Sequence, residues 1–191
     1  YRPLEGLNVF IIGGGDTGND CVATAVRQGA ASVAQLEITA SLPGGRAADN
    51  PWPRWPFVMK TDYGQREAIR LFGHDPRSFC TTTASLKGEN GHVGEIETVH
   101  VDWVLENGRR VPKPIPGTEK SYPADLVVIA MGFTGAETYL PDALGVTFGK
   151  THATDKPGVF AAGDMRTGQS LVVKAIRDGL DAALEAAAYL G

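Results

Sequence analysis

The chain has 191 residues, 42% of them hydrophobic and 21% charged, with a formal net charge of −4 at pH 7. This is the make-up of a folded globular protein of one domain or two small ones, and it argues against a disordered chain and against a nucleic-acid surface. The two cysteines, Cys21 and Cys80, form no C-x-x-C pair, which leaves out a redox dithiol or a thiolate-held metal cluster within these residues, and no signal peptide or membrane-length apolar run is visible.

In chain order, residues 8–12 come first and read as a buried parallel strand. The run stops at Gly13-Gly14-Gly15-Asp16-Thr17-Gly18, and a helical pattern follows over Thr17 to Gln28, with Cys21, Val22, Ala25 and Val26 as its apolar stripe. Gly29 reads as the helix C-terminal cap and Val33 to Ile38 as a second strand, completing a right-handed βαβ unit. Gly13, Gly15 and Gly18 fall in the G-x-G-x-x-G arrangement. The first glycine permits the tight turn, the second lets backbone approach a pyrophosphate, and the third lets the helix lie close on the sheet. A pyrophosphate would then sit at the positive end of the helix dipole, facing unpaired N–H groups. The candidate cofactor-binding residues here are Gly13, Gly14, Gly15, Asp16, Thr17 and Gly18.

Periodicity is lost over residues 39–64, where Asn50-Pro51-Trp52-Pro53-Arg54-Trp55-Pro56 forbids helix and central strand alike. Arg66 to Phe72 reads as a short helix. Cys80 to Leu86, Gly94 to Leu105 and Pro123 to Ala130 read as strands, and the Asn-Gly turns at Asn90-Gly91 and Asn107-Gly108 mark hairpins of an inserted antiparallel meander. Asp125 to Gly132 is an apolar strand ending in glycine. Gly158 to Asp164 reads as another, ending in Gly-Asp. A last helix is expected from about Gln169 to Leu190, burying Leu171, Val172, Ala175, Ile176, Leu184 and Ala187. The chain opens on Tyr1 rather than Met and reads as a piece of a longer protein.

The order of a βαβ unit, a meander, a strand ending in Ala-Met-Gly and a run ending in Ala-Gly-Asp resembles the two-dinucleotide-binding flavoprotein oxidoreductases. Four segments bring the resemblance to the small (beta) subunit of glutamate synthase: GGGDTGNDC (13–21), RAADNPWPRWP (46–56), DLVVIAMGF (125–133) and VFAAGDMRTGQSLVV (159–173). The resemblance implies an α/β fold: a Rossmann-like NAD(P)H-binding domain with an inserted β-meander over 1–123, and the C-terminal segment of an FAD-binding domain over 124–191. It implies an electron-input module, in which NAD(P)H passes hydride to FAD and a large subunit makes glutamate from glutamine and 2-oxoglutarate. The family's iron–sulfur cysteines and first FAD glycine motif have no counterpart in these 191 residues, so the chain alone is expected to lack glutamate synthase activity. The other readings are an NAD(P)H–ferredoxin or sulfide-type flavin reductase module, and a nucleotide-sensing or assembly module without turnover. A large-subunit partner, no nucleic acid, no membrane and a cytoplasmic setting complete the expectation.

Further candidate residues follow. Glu37 closes the second strand and can accept from adenosine ribose hydroxyls, which favours NADH; the competing reading is a solvated strand-end charge. Arg46, in the adjoining loop, can instead meet a 2′-phosphate. The resemblance assigns Asp164 to a ribityl hydroxyl of FAD, with a capping or turn role as the alternative. Gly132 and Gly163, at the ends of the last two expected strands, are further cofactor-binding candidates. So are Gln169 and Ser170 at the start of the last helix, whose positive end can stabilise charge near N1 and O2 of reduced flavin, with plain capping by Ser170 or Thr167 as the alternative. Trp52 and Trp55 either pack their loop, cover the nucleotide or meet a partner. Cys21 reads as core. The histidines His74, His92, His100 and His152 show no metal spacing and read as exposed or structural.

Overall fold

Five successive apolar or half-buried residues, Asn8–Ile12, form β1 at the centre of a parallel sheet, and their alternation distributes them to two cores. The computed structural model describes residues 3–191. The elements that follow are α1 (Asp16–Arg27), β2 (Ser32–Leu36), α2 (Tyr63–Phe72), β3 (Arg77–Ser78), β4 (Thr81–Glu89), β5 (His92–Glu106), β6 (Arg109–Pro114), β7 (Lys120–Pro123), β8 (Leu126–Ile129), α3 (Tyr139–Leu144), α4 (Asp164–Thr167) and α5 (Val172–Leu190).

The first of two compact units ends at Met131. Its parallel sheet runs β3-β2-β1-β8, with Val9 opposite Val33 on one side and Leu126 on the other. Val9 and Ile11 pack with Val22 and Ala25 of α1, whereas Phe10 and Ile12 pack with Leu36 and Ile96 of the meander. One face of the sheet is thus closed by helix and the other by antiparallel strands. In the meander β5 pairs with β4, β6 and β7. Asn90 and Gly91 both take positive φ (54° and 77°), as do Asn107 and Gly108 (50° and 74°), the backbone that two-residue hairpin turns require. The indole N–H of Trp103 donates to the Ile38 carbonyl at 3.0 Å and ties the meander to the end of β2.

The structure departs from the sequence reading in the later strands. β6 was not expected: its sequence RRVPKP is polar, and it pairs only with β5 as an edge. Of the run Pro123 to Ala130, only Leu126–Ile129 forms a strand of the parallel sheet, β8; Pro123 is the last residue of β7 in the meander, which begins at Lys120. β8 hydrogen-bonds to β1 and belongs to the first compact unit, which ends at Met131.

The second unit, Gly132–Gly191, holds α3, α4 and α5. The expected strand at 158–164 does not form; Phe160 makes a single antiparallel bridge with Ala153. Helix α5 starts at Val172, later than expected. Its supposed buried face is open: Leu171, Val172, Ile176 and Leu184 are exposed, and Ala182 is the buried residue of the helix. The unit offers no sheet on which an apolar helix stripe could lie. Among the described residues, no helix is long and apolar enough to cross a membrane.

The close approach of α1 to the β1 turn supplies a test. A Cβ on Gly18 would stand 2.1 Å from the Gly13 carbonyl oxygen and 2.6 Å from Gln35 Nε2. Gly18→Ala should therefore destabilise the first unit by roughly 2 kcal/mol or more, measured by urea unfolding; a change within about 0.5 kcal/mol would show that the turn relaxes freely.

Candidate functional site

The glycine turn is held by backbone and by a buried amide relay. Gly13 N–H donates to Leu36 O at 2.9 Å. Gln35 is wholly buried; its Nε2 donates to Gly13 O at 2.9 Å and its Oε1 accepts from Gln65 Nε2 at 3.1 Å. Gln65 Oε1 in turn accepts from Asp62 N–H, the N-cap of α2, at 2.8 Å. Asn19 Oδ1 accepts from the N–H groups of Gly64 and Gln65. A chain of satisfied amides thus runs from the start of α2 to the turn, and buried polar groups so paired fix one geometry.

The glycines of the turn differ in what demands them. Gly13 has φ +126°, and a Cβ there would stand 2.1 Å from Ala130 O. A Cβ on Gly14 would meet the Glu37 carboxylate at 1.5 Å, so Glu37 lies directly over Gly14. Gly18 is excluded as above. A Cβ on Gly15 meets nothing within 4 Å, and its φ of −78° is open to any residue. Gly15 is also the N-cap of α1, and no side chain caps that helix. Asp16 and Thr17 open α1; beside them Asp20 accepts from the Tyr63 hydroxyl at 2.5 Å. The uncapped N–H groups and the clear space at Gly15 make a surface an anion can approach.

Glu37 Oε1 accepts from Thr39 N–H (2.7 Å) and Thr39 Oγ1 (2.8 Å), while Oε2 has no partner among the described residues. The carboxylate is thereby aimed and keeps acceptor capacity. Gly14 and Glu37 line a cavity of about 270 Å³ with Trp55, Lys60, Arg77 and Phe79. Arg77 is fully engaged: it grips the Asp75 carboxylate and donates to Lys60 O and Thr61 Oγ1. Its guanidinium holds Asp75 below the usual carboxylate range, against the burial that would raise it. Arg46 donates to Asn50 O and Arg54 O inside its own loop and does not line this cavity. Cys21 is half-buried against the core, and burial pushes its thiol upward in pKa, as fits packing and not nucleophilic use.

In the second unit, Asp164 begins α4 and is exposed, with no hydrogen bond or ion pair from its carboxylate among the described residues. It lines a cavity of about 220 Å³ with Glu137, Tyr139, Met165 and Gln169. Gln169 Nε2 donates to Gly135 O at 2.6 Å. Ser170 precedes α5 and caps nothing; Gly132 has φ +97° in exposed backbone.

The Gly163–Asp164 turn rests on a charged network that the sequence reading missed. Asp178 of α5 accepts from Gly163 N–H at 2.7 Å, pairs with Arg166 and meets His152 Nε2 at 3.1 Å. His152 is buried; its Nδ1 lies 2.7 Å from Glu185 Oε1, and its N–H donates to Glu185 Oε2 at 2.9 Å. A carboxylate on each ring nitrogen favours the doubly protonated imidazolium form of His152. Glu185 first, then Asp178, raise its pKa against burial; Arg166 opposes them. The Arg166 guanidinium and the Gly163 N–H hold Asp178 far below the usual carboxylate range. One signal was available: Asp178 and Glu185 lie two turns apart on one helix face.

No protein-family model matches the chain. Solved structures set the class. FprA of Mycobacterium tuberculosis in complex with NADPH superposes with a TM-score of 0.66 at 16% identity, over 99% of this chain and 54% of that one. Thioredoxin reductase of T. acidophilum gives 0.60 at 21%, over 97% and 53%. The chain shares the fold of these oxidoreductases. Sequence relatives narrow it. The chain is 44% identical to the glutamate synthase [NADPH] small chain of Bacillus subtilis, over 100% of this chain and 41% of that protein. It is 39% identical to the small chain of Mycobacterium tuberculosis, over 97% and 38%. Against glutamate synthase [NADH] of Schizosaccharomyces pombe it is 43% identical over 97% and 9%. The chain is a homologue of the glutamate synthase small chain and spans about two fifths of the small chains it matches.

The His152 network predicts a pH response. A folded-state pKa raised above the unfolded value of about 6.5 gives stability that is complete below that value and lost as pH rises through the raised one. The thermal midpoint of the second unit should fall as pH rises from about 6.5 into the alkaline range, and His152→Gln should flatten that fall. A parent midpoint constant over this range would show that His152 does not titrate with unfolding.

Proposed function

We propose that this chain is the nucleotide-binding part of an electron-input module of glutamate synthase. It binds NAD(P)H at the Gly13–Gly18 turn, and hydride passes to an FAD held in part by the Gly163–Asp164 turn. Electrons then go to a large subunit that forms glutamate from glutamine and 2-oxoglutarate. The observation that carries this reading is Gly15: the fold itself explains the other glycines of the turn, whereas the space at Gly15 is free and faces an uncapped helix N-terminus. A pyrophosphate is the ligand that uses both. The nicotinamide and flavin supply the redox chemistry when bound. The residues of this chain orient them: Asp164 offers an unpartnered carboxylate to a ribityl hydroxyl, and the Asp178 network keeps its turn in place. Absence of a dithiol disfavours a thioredoxin-reductase-like activity.

Relatives are named for NADH and for NADPH. Glu37 supports NADH here. Among the described residues its Oε2 is free and suits ribose hydroxyls; Arg77 is fully engaged and Arg46 does not line the cavity, so Lys60 is the one cation there that could meet a 2′-phosphate. A carboxylate about 4 Å from a phosphate costs about 4 kcal/mol at an effective dielectric of about 20, and solvent and salt reduce this sharply.

Two titrations test the reading. Gly15→Val should keep its fold, losing about 1 kcal/mol at most from the poorer N-cap, yet lose roughly tenfold or more in NADH affinity by calorimetry; unchanged affinity would remove Gly15 from the site. Glu37→Gln should shift the NADH/NADPH affinity ratio toward NADPH by roughly two- to tenfold at low salt. A ratio equal to the parent's would mean that Glu37 is not the selector.

A further inference from the structure

The connection between β2 and α2 has no helix or strand, but it is built from within. Asn50 is buried; its Nδ2 donates to Trp55 O at 2.9 Å, and its Oδ1 accepts from Phe57 N–H at 2.8 Å. Arg46 clamps the same turn through two carbonyls. A loop so fixed presents its aromatic rings on a defined scaffold, and Trp55 is 69% exposed. The ammonium of Lys60 stands 4.6 Å from the centre of the indole ring. Lys60 forms no ion pair among the described residues. Trp55, Phe57 and Lys60 are walls of the same cavity of about 270 Å³ that Gly14 and Glu37 open into.

We infer that Trp55, with Lys60 beside it, forms an adenine subsite. This rests on the reading of the Gly13–Gly18 turn as a dinucleotide site. If Glu37 takes the hydroxyls of the adenosine ribose, the base on that ribose enters the cavity beyond β2, where the walls are aromatic. A flat purine needs a flat partner, and stacking on an indole serves any base without hydrogen-bond readout. The lysine cation over the indole restrains that ring in the orientation the base meets. The aromatic loop thereby grips the adenosine half of the cofactor and leaves the nicotinamide half alone.

The test uses the 191-residue chain and three probes: NADH, ADP-ribose, which lacks the nicotinamide, and reduced nicotinamide mononucleotide, which lacks the adenosine. Trp55→Ala should weaken ADP-ribose and NADH by about tenfold and leave the mononucleotide unchanged. Trp55→Phe should restore most of the loss. Trp52, 81% exposed and outside the cavity, is the control: Trp52→Ala should change nothing. If the parent binds ADP-ribose and Trp55→Ala binds it equally, the subsite is overturned and the dinucleotide reading stands. Equal losses from Trp52→Ala and Trp55→Ala would make the effect one of loop architecture and also overturn the subsite. If the parent binds neither NADH nor ADP-ribose, the dinucleotide reading falls, and the subsite with it.

Discussion

The first unit depends on one crossing, where the start of α1 passes the turn after β1 with no room for a side chain. The Gly13 carbonyl sits at its centre. It accepts from Gln35, and a Cβ on Gly18 would collide with it at 2.1 Å. Gly13 N–H is taken by Leu36, the last residue of β2. Two strands, one helix and, through Gln65, the N-terminus of a second helix therefore converge on a single peptide unit. Such a crossing is rigid because its polar groups are all paired and its apolar neighbours, Val9, Ile11 and Val22, are fully buried. The rigidity places the N–H groups of α1 in a fixed direction, and it keeps Glu37 over Gly14 instead of free in solvent.

The crossing also separates two reasons for glycine that a sequence motif merges. Gly13 and Gly18 answer to the backbone of the protein itself, and Gly14 answers to the Glu37 side chain. At Gly15 φ is ordinary and space is clear, so no clash among the described residues demands glycine there, and its structural use is as the N-cap of α1. The charge pattern agrees with this division. Of the two cations that line the cavity, Arg77 is spent on Lys60 O, Thr61 and Asp75 and Lys60 stands over the Trp55 ring, while the carboxylate over the turn keeps an oxygen free among the described residues.

The βαβ unit was legible because β1 and α1 each carry a strong periodic signal bounded by glycine. The hairpins were legible because Asn-Gly supplies two consecutive positive φ values. β6 was not, since an edge strand has one partner and its polar residues follow no burial pattern. β7 was hidden for the same reason: its residues Lys120–Pro123 are all exposed and carry no burial pattern. Gln35 and Gln65 gave no sign of the relay, because an amide inside a strand or helix looks like any surface residue until the fold brings the two within 3.1 Å. Glu37 was legible by position, Trp55 only by composition.

The second unit shows where reading by hydrophobicity stops working. Its helix α5 has the stripe of an amphipathic helix, yet Leu171, Val172, Ile176 and Leu184 are exposed while Ala161 and Ala182 are the buried apolar side chains of the core here. Little apolar area remains to orient the helix against the Gly163–Asp164 turn. Directional contacts do so instead: Asp178 to Gly163 N–H and Arg166, and His152 bridging Asp178 to Glu185. Buried ion pairs of this kind add little net stability compared with an apolar core, but removing one member leaves an uncompensated charge, so the arrangement tolerates one geometry and few alternatives. That is the property a turn presenting a single carboxylate requires. In the first unit packing fixes the glycine turn, and in the second charge fixes the Asp164 turn.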